Sequence, residues 1–404
     1  MANGAIGNTE LVIGGGNGCE ILDPSKASYV VKTFDSFMSC VKTASPGQSV
    51  CIDEGAKIDI SNVPKDTVVR PNITIGSVRG AGGLEGGALV YNKLNYGRNY
   101  KTCFISSGGL RLVGLRFIGP DPSVGPSAEY AECLTGFRFK GDKNFINNVE
   151  AAGWSEAALQ VGMDGFAHFK EIWAHNNQRT GYGYAIDVQR GSALIEAIRF
   201  LDNRHHVAGG RGLPASNYEV RFCLAGYSTN TQFDMHGEND SVAWGNKTGS
   251  GTNAPAGGNV LVHHNTSDQK NQAFVGIRGV PSGMVSCYNN LLANAGADKS
   301  VFIQRLENLG LTPYVKMQVY DNTKGAIVPK ITATEPSGQP LLVLPSGLTV
   351  PIPLPDQPAV VVPSGLTAEQ LSNMAAKAAE DPTMWLVAAA LFAAAAVVYH
   401  SIKE

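Results

Sequence analysis

A right-handed parallel β-helix is the fold this sequence predicts, and three observations predict it. The first is an apolar or aromatic strand that ends in asparagine: FINN (Phe145–Asn148), IWAHNN (Ile172–Asn177), IRFLDN (Ile198–Asn203), VLVHHN (Val260–Asn265), VSCYNN (Val285–Asn290) and MQVYDN (Met317–Asn322). The second is an alternating strand that ends in a polar residue and a glycine: LQVGMDG (Leu159–Gly165), AIDVQRG (Ala185–Gly191), QFDMHG (Gln232–Gly237) and FVGIRG (Phe274–Gly279). The third is spacing. The closing asparagines step by 29 residues (148 to 177), 26 (177 to 203) and 25 (265 to 290), and the glycines by 26, 46 and 42 (165, 191, 237, 279). The longer steps fit two coils, or one coil with an inserted loop. A recurring unit of roughly 20–30 residues built of short strands and turns is a solenoid. Asparagine suits its corners because it tolerates left-handed backbone and can bond the next coil, so stacked corners give an asparagine ladder. Period-two alternation of β-branched and aromatic residues, with glycine in every unit, argues against helices.

At 404 residues the chain could hold two or three ordinary domains, but a solenoid absorbs length as one domain. The 43% hydrophobic content supplies a core, and 47 glycines supply tight turns. A net charge of −2 gives no bulk attraction to nucleic acid or an anionic membrane, and no nucleic-acid-binding motif is present. None of the seven cysteines forms a CxxC pair, which argues against a zinc ribbon. Cys223 and Cys287 fall in core strands, and Cys40 and Cys51 flank a turn across which they can pair.

In chain order, residues 1–29 are Gly- and Asn-rich without a secretory signal, and GGGNG (Gly14–Gly18) reads as a flexible or turn segment because no Lys-Ser/Thr follows it. Phe34, Phe37, Met38 and Val41 fall at i, i+3, i+4 and i+7 behind the N-cap candidate Thr33. They predict a short amphipathic helix that covers the open end of the solenoid. Strands follow from Ser45 through residue 325.

The run from that helix through PGQSVCID, VVRPNITIGSVRGAGG (Val68–Gly83) and LRLVGLRFIGPDP (Leu110–Pro122) to the Asn-ended strands resembles the pectate-lyase-like β-helix superfamily over residues 30–325. The resemblance implies the fold, and the superfamily spans polysaccharide lyases, glycoside hydrolases, phage tailspikes and non-catalytic surface proteins, so activity must be argued from a site. Its lyases often use calcium held by clustered carboxylates. Here Asp187 and Asp234 lie in separate strands, so no metal ligands are assigned and calcium enters only through the resemblance.

Residues 326–366 are rich in Pro, Val and Leu and repeat LPSGLT (Leu344–Thr349) as VPSGLT (Val362–Thr367), which predicts an extended stalk. Residues 367–404 predict helix. Within them Thr383–Ser401 is an uncharged run flanked by Trp385 and Tyr399. Its length, about 28 Å as a helix, matches the ~30 Å of a bilayer core, so it is expected to span a membrane.

Asp164, Arg190, His236 and Arg278 each precede a glycine and are expected to stack along one outer face. If Val161, Met163, Phe233 and Met235 point inward, Asp164, Asp234 and His236 point outward. The NRHHVAGGRG segment adds Arg204, His205, His206 and Arg211 to that face. In the adjacent His263-His264 pair one ring is expected to point inward, as part of a packed corner. An outward stack of Arg, His and Asp suits an acidic sugar chain. β-Elimination of a uronate needs a base at C5 and a cation to stabilise the enolate-like intermediate. The catalytic candidates are therefore His236, Asp234, Arg278 and His206, and the ligand-binding candidates Asp164, Arg190, Arg204, His205 and Arg211. The polar Gly237–Gly258 stretch after His236 reads as a recognition loop.

Two functions follow. One is a membrane-anchored structural or glycan-binding β-helix, an adhesin or spike at a cell or virion surface. The other is a tethered polysaccharide lyase, favoured over a glycoside hydrolase, that acts on an acidic glycan. The expected partners are a polysaccharide or cell-surface glycan, the membrane through the C-terminal helix, and further copies of the chain in a homo-oligomer, with no nucleic acid.

Overall fold

Short strands that cannot bury their own apolar face must stack on copies of themselves, and three parallel sheets result. The computed structural model describes residues 3–93, 100–121, 133–162, 164–209, 216–236, 256–270, 272–278, 281–293, 301–304, 317–326, 328, 330–331, 341–343 and 349–351. Among these, an eleven-stranded first sheet runs from Tyr29–Val31 to Met317–Tyr320. A nine-stranded second sheet runs from Lys57–Asp59 to Leu291–Leu292, and a nine-stranded third from Thr67–Val69 to Val301–Gln304. The chain visits the three in turn, and every pairing within them is parallel. This is a parallel β-helix. Residues 1–338 form one compact unit and 339–404 another. In the second, Leu341–Val343 pairs antiparallel with Thr349–Pro351. The Thr383–Ser401 run lies outside the described residues; among those described, no helix is long and apolar enough to cross a membrane.

Register turns the alternation of each strand into rows. Along the third sheet Phe104, Phe137, Leu159, Ile186, Val207, Phe233 and Val275 are successive partners, all fully buried. Each such side chain contributes roughly 1.5–3 kcal/mol of burial. The helix Phe34–Thr43 starts at Thr33, whose hydroxyl accepts from the Ser36 amide in a capping box, and it buries Phe37, Met38 and Val41 against the first coil. Phe37 meets Phe104 edge-on at 5.9 Å. All seven cysteines are free thiols, so Cys40 and Cys51 do not pair.

The asparagine motif turns out to mark two different corners. Between the first and second sheets a left-handed residue recurs as Asn148, Glu171, Ala197, Phe222, His264, Asn289 and Asp321, with φ between 50° and 55°. The residue after it points inward, and in the last three coils it is Asn265, Asn290 and Asn322. Asn265 Nδ2 donates to Asn290 Oδ1 (3.1 Å), and Asn290 Nδ2 to Asn322 Oδ1 (2.8 Å). Asn177 and Asn203 instead stand between the second and third sheets, behind left-handed Asn176 and Asp202, and bond each other at 2.8 Å. One ladder is therefore two, because both strand types end in the same turn. Neither histidine of the His263-His264 pair points inward. His264 takes the left-handed corner, and His263, one residue before it, faces outward, with Nε2 3.2 Å from Glu219 and its ring stacked on Tyr288.

The glycine-rich N-terminus is an ordered strap rather than a flexible turn. Its contacts run lengthwise down the corner of the first and second sheets. The Gly4 amide donates to the Asn289 carbonyl, Gly14 to Ala197, Gly16 to the Asn148 side chain and Leu22 to Ser77. Arg79, buried, donates to Asn148 Oδ1 (2.8 Å) and the Gly14 carbonyl (3.2 Å). The composition has a steric cause. A Cβ on Gly15 (φ +75°) would lie 2.4 Å from the Glu171 carbonyl oxygen, and one on Gly80 2.1 Å from Gly16.

Candidate active site on the third sheet

Between inward-facing residues on each strand of the third sheet lies one outward position. Register joins these positions into a second row: Arg138, Gln160, Asp187, Ala208, Asp234 and Gly276. The polar members link in pairs. Arg138 Nε donates to Gln160 Oε1, and Gln160 Nε2 to Asp187 Oδ2 (2.7 Å). Gln189 Nε2 donates to the same oxygen at 2.6 Å. Two strands along, Asp234 Oδ2 accepts from His236 Nδ1 at 2.7 Å. Asp187 and Asp234 are 1% and 0% exposed although they face outward, while the His236 side chain keeps 19% of its surface at the rim. Ala208 separates the two carboxylates. Two strand spacings place their backbones about 9.6 Å apart.

A buried carboxylate that accepts from Nδ1 fixes the tautomer of His236 and puts the basic lone pair on Nε2. His236 pairs in register with Arg278 of the next strand. The Arg278 side chain lies outside the described set.

The other expected members of the face are distributed differently. His236 stands level with Gln189 and Gly162 rather than with Arg190 and Asp164. The latter two are exposed, left-handed turn residues (φ 59° each) where the third sheet gives way to the first. His206 is corrected outright, because it points into the core. Its Nε2 donates to the Gly226 carbonyl (3.0 Å), its Nδ1 accepts from Asn203 (3.2 Å) and its ring stacks on Phe200. Complete burial pushes its pKa down to about 3, which keeps it neutral. His205 faces outward but is covered, 5.7 Å from the ring of Tyr184. Arg204 lies half-buried over Tyr184 at 5.9 Å. Arg211 and most of the Gly237–Gly258 stretch lie outside the described residues.

Sequence reasoning missed Arg138, Gln160 and Gln189, although a signal existed. Aligned on the inward residues, the strands read FRFK, LQVG, IDVQ, VAGG, FDMH and VGIR, so the outward chemistry sits in the second and fourth columns. Alignment on the terminal glycine instead shifted Asp164 and Arg190 into the wrong column. Among the described residues no three His, Cys, Asp or Glu side chains converge as metal ligands.

A crystal structure of an alginate lyase from Paenibacillus sp. str. FPU-7 is similar to this chain at 14% sequence identity, over 74% of this chain and 100% of that one, with a TM-score of 0.37. No family model matches the sequence. No curated protein matches it either.

Proposed function

We propose that this chain acts on an acidic polysaccharide laid over the outer face of its third sheet, as a lyase in which His236 is the proton-transfer group and Asp234 its orienting partner. The observation that carries this reading is the Asp234–His236 pair, a buried carboxylate behind a rim imidazole at 2.7 Å. In β-elimination His236 Nε2 would take the C5 proton of a uronate, the C4–C5 double bond would form as the C4–O4 bond breaks, and the imidazolium, stabilised by an Asp234 that stays unprotonated, would hand the proton to the departing O4. Arg278, on the neighbouring strand and in register, is the candidate for the sugar carboxylate. Asp187, itself buried, holds the half-buried Gln189 amide in place on that face.

The test is turnover of a panel of acidic polysaccharides, followed by absorbance of unsaturated uronate. His236→Ala is expected to lower kcat by about 10²–10⁴-fold while polymer binding persists. Asp234→Asn, which reverses the tautomer preference, is expected to act in the same direction. New reducing ends without unsaturation would point to hydrolysis, for which a carboxylate pair near 6.5–9.5 Å apart is the inverting geometry. Binding without any cleavage would leave the adhesive reading in its place.

A further inference from the structure

At the upstream ends of the third-sheet strands, on the same outer face, aromatic rings gather above small residues. Tyr182 projects from a tight turn in which its amide donates to the Arg179 carbonyl (3.0 Å). That turn admits no larger residue at Gly183 (φ +95°), where a Cβ would lie 2.6 Å from the Arg179 nitrogen. The buried Arg179 guanidinium lies over the Tyr182 ring at 5.0 Å, and Tyr182 packs with Tyr184 above Ala157 and Ala208. From a strand 82 residues earlier, Tyr100 meets Tyr182 edge-to-face at 6.0 Å, and their hydroxyls bond at 2.7 Å. Each ring is thus locked by the other, yet Tyr100 remains 48% exposed. Beside them Arg204 lies over Tyr184, and among the described residues no carboxylate pairs with it.

This is an arrangement for holding a ligand rather than for closing a core. An immobilised, half-exposed aromatic ring offers a large amphipathic contact at little further cost in conformational entropy. A half-buried guanidinium without a carboxylate of its own is suited to a planar anion. A sugar ring carrying a carboxylate presents both complements, an apolar face of C–H groups and an anionic edge.

We propose that Tyr100, held by Tyr182, and Arg204 form a remote subsite for successive uronate units of the same glycan chain, Tyr100 stacking the ring of one and Arg204 pairing the carboxylate of another. The proposal rests on the lyase reading above. From Tyr184 to His236 the register spans two strands and five residues, roughly 10 Å across and 16 Å along the sheet. A ligand that reaches both must be an oligosaccharide of several units, so the subsite selects chain length and charge rather than catalysing.

The test is a length series of oligouronates and the parent polymer, using the full chain. Tyr100→Ala is expected to raise KM for the polymer about tenfold with kcat within twofold, and to leave the shortest cleaved oligomer unaffected. Tyr100→Phe, which keeps the ring but loses the hydroxyl bond, should fall between. Arg204→Gln should reduce the preference for acidic over neutral polymers. Equal KM for wild type, Tyr100→Ala and Arg204→Gln at every length, in an enzyme that still depends on His236, would overturn the subsite and leave the lyase reading standing. Polymer binding measured in the His236→Ala background separates the converse case. A tenfold loss on adding Tyr100→Ala supports the subsite even if no cleavage is found, and failure of the full chain to bind any acidic glycan overturns both.

Discussion

The corner asparagines and the carboxylates on the outer face of the third sheet are equally buried, yet they bond to different things. Asn177, Asn203, Asn265 and Asn290 each donate to a main-chain carbonyl of the coil before, at Ala151, Ala174, Val220 and Val262. They supply partners to backbone that the sheets leave unpaired at the turn, a demand set by the fold. The bonds joining Gln160, Asp187 and Gln189, and those joining Asp234 to His236, run between side chains on strands whose backbone is already paired in the ladder. Nothing in coil closure asks for them. Buried polarity in this solenoid therefore has two causes, and the identity of the partner atom distinguishes them.

The largest test of that distinction sets two histidines of one sheet against each other. His206 belongs to the closing machinery, and its folded pKa of about 3 lies below its usual 6.5. Between those values the unfolded chain binds the proton and the folded one does not, so stability is intact above pH 6.5 and is lost as pH falls toward 3. Down to pH 4 the loss should be on the order of 3 kcal/mol. Urea titrations from pH 7 to 4 are expected to show this slope in wild type and a shallower one in His206→Gln. His236→Ala should instead lower turnover while the fold is retained.

Next in size is Asn203→Leu, which strands the Ala174 carbonyl and the Asn177 amide and should cost about 1–3 kcal/mol. Asp234→Asn should move the urea midpoint much less while abolishing most turnover. A large stability loss in Asp234→Asn would place the outer face with the corners and remove its claim to chemistry.

How much of this was legible follows from the same contrast. The repeat, the inward rows and the helix behind Thr33 depend on apolar periodicity, which a sequence displays directly. The two asparagine ladders could not be told apart, because IWAHNN and VSCYNN end in the same left-handed turn and differ only in which sheet they close. The site was legible in parity, since Asp234 and His236 alternate with Phe233 and Met235. It was not legible in register, because the 26-, 46- and 42-residue steps conceal which strands are neighbours. The strap was beyond reach, since its glycines answer to Glu171, Asn148 and Gly80, more than sixty residues away in sequence.

Gly15→Ala tests the strap. The added methyl meets the Glu171 carbonyl at 2.4 Å in a backbone region that alanine disfavours, a cost of about 1–3 kcal/mol. Because the strap runs over the sheets without being part of them, the expected outcome is local. Hydrogen exchange should rise along residues 4–22, while the third-sheet strands stay protected and turnover is retained. Global loss of protection would mean that the strap is integral to coil stacking.

The smallest effect separates left-handed corner residues that carry a contact from those that only endure the conformation. Ala197 (φ 54°) presents a methyl group and, through its carbonyl, accepts from the Gly14 amide, a bond that glycine would keep. Left-handed backbone costs an L-residue roughly 1–2 kcal/mol, and a buried methyl returns about 0.8 kcal/mol. Ala197→Gly should therefore stabilise the chain by about 0.5 kcal/mol, readable as a small upward shift of the urea midpoint. Glu171 occupies the same corner one coil earlier with the same φ of 54°, but its carboxylate accepts from the Val12 amide of the strap at 3.2 Å. Glu171→Gly relieves the same strain and loses that anchor, so it should fall below Ala197→Gly in stability and raise exchange at Val12. If both substitutions stabilise equally, the carboxylate contact contributes nothing and the corner is governed by backbone strain alone.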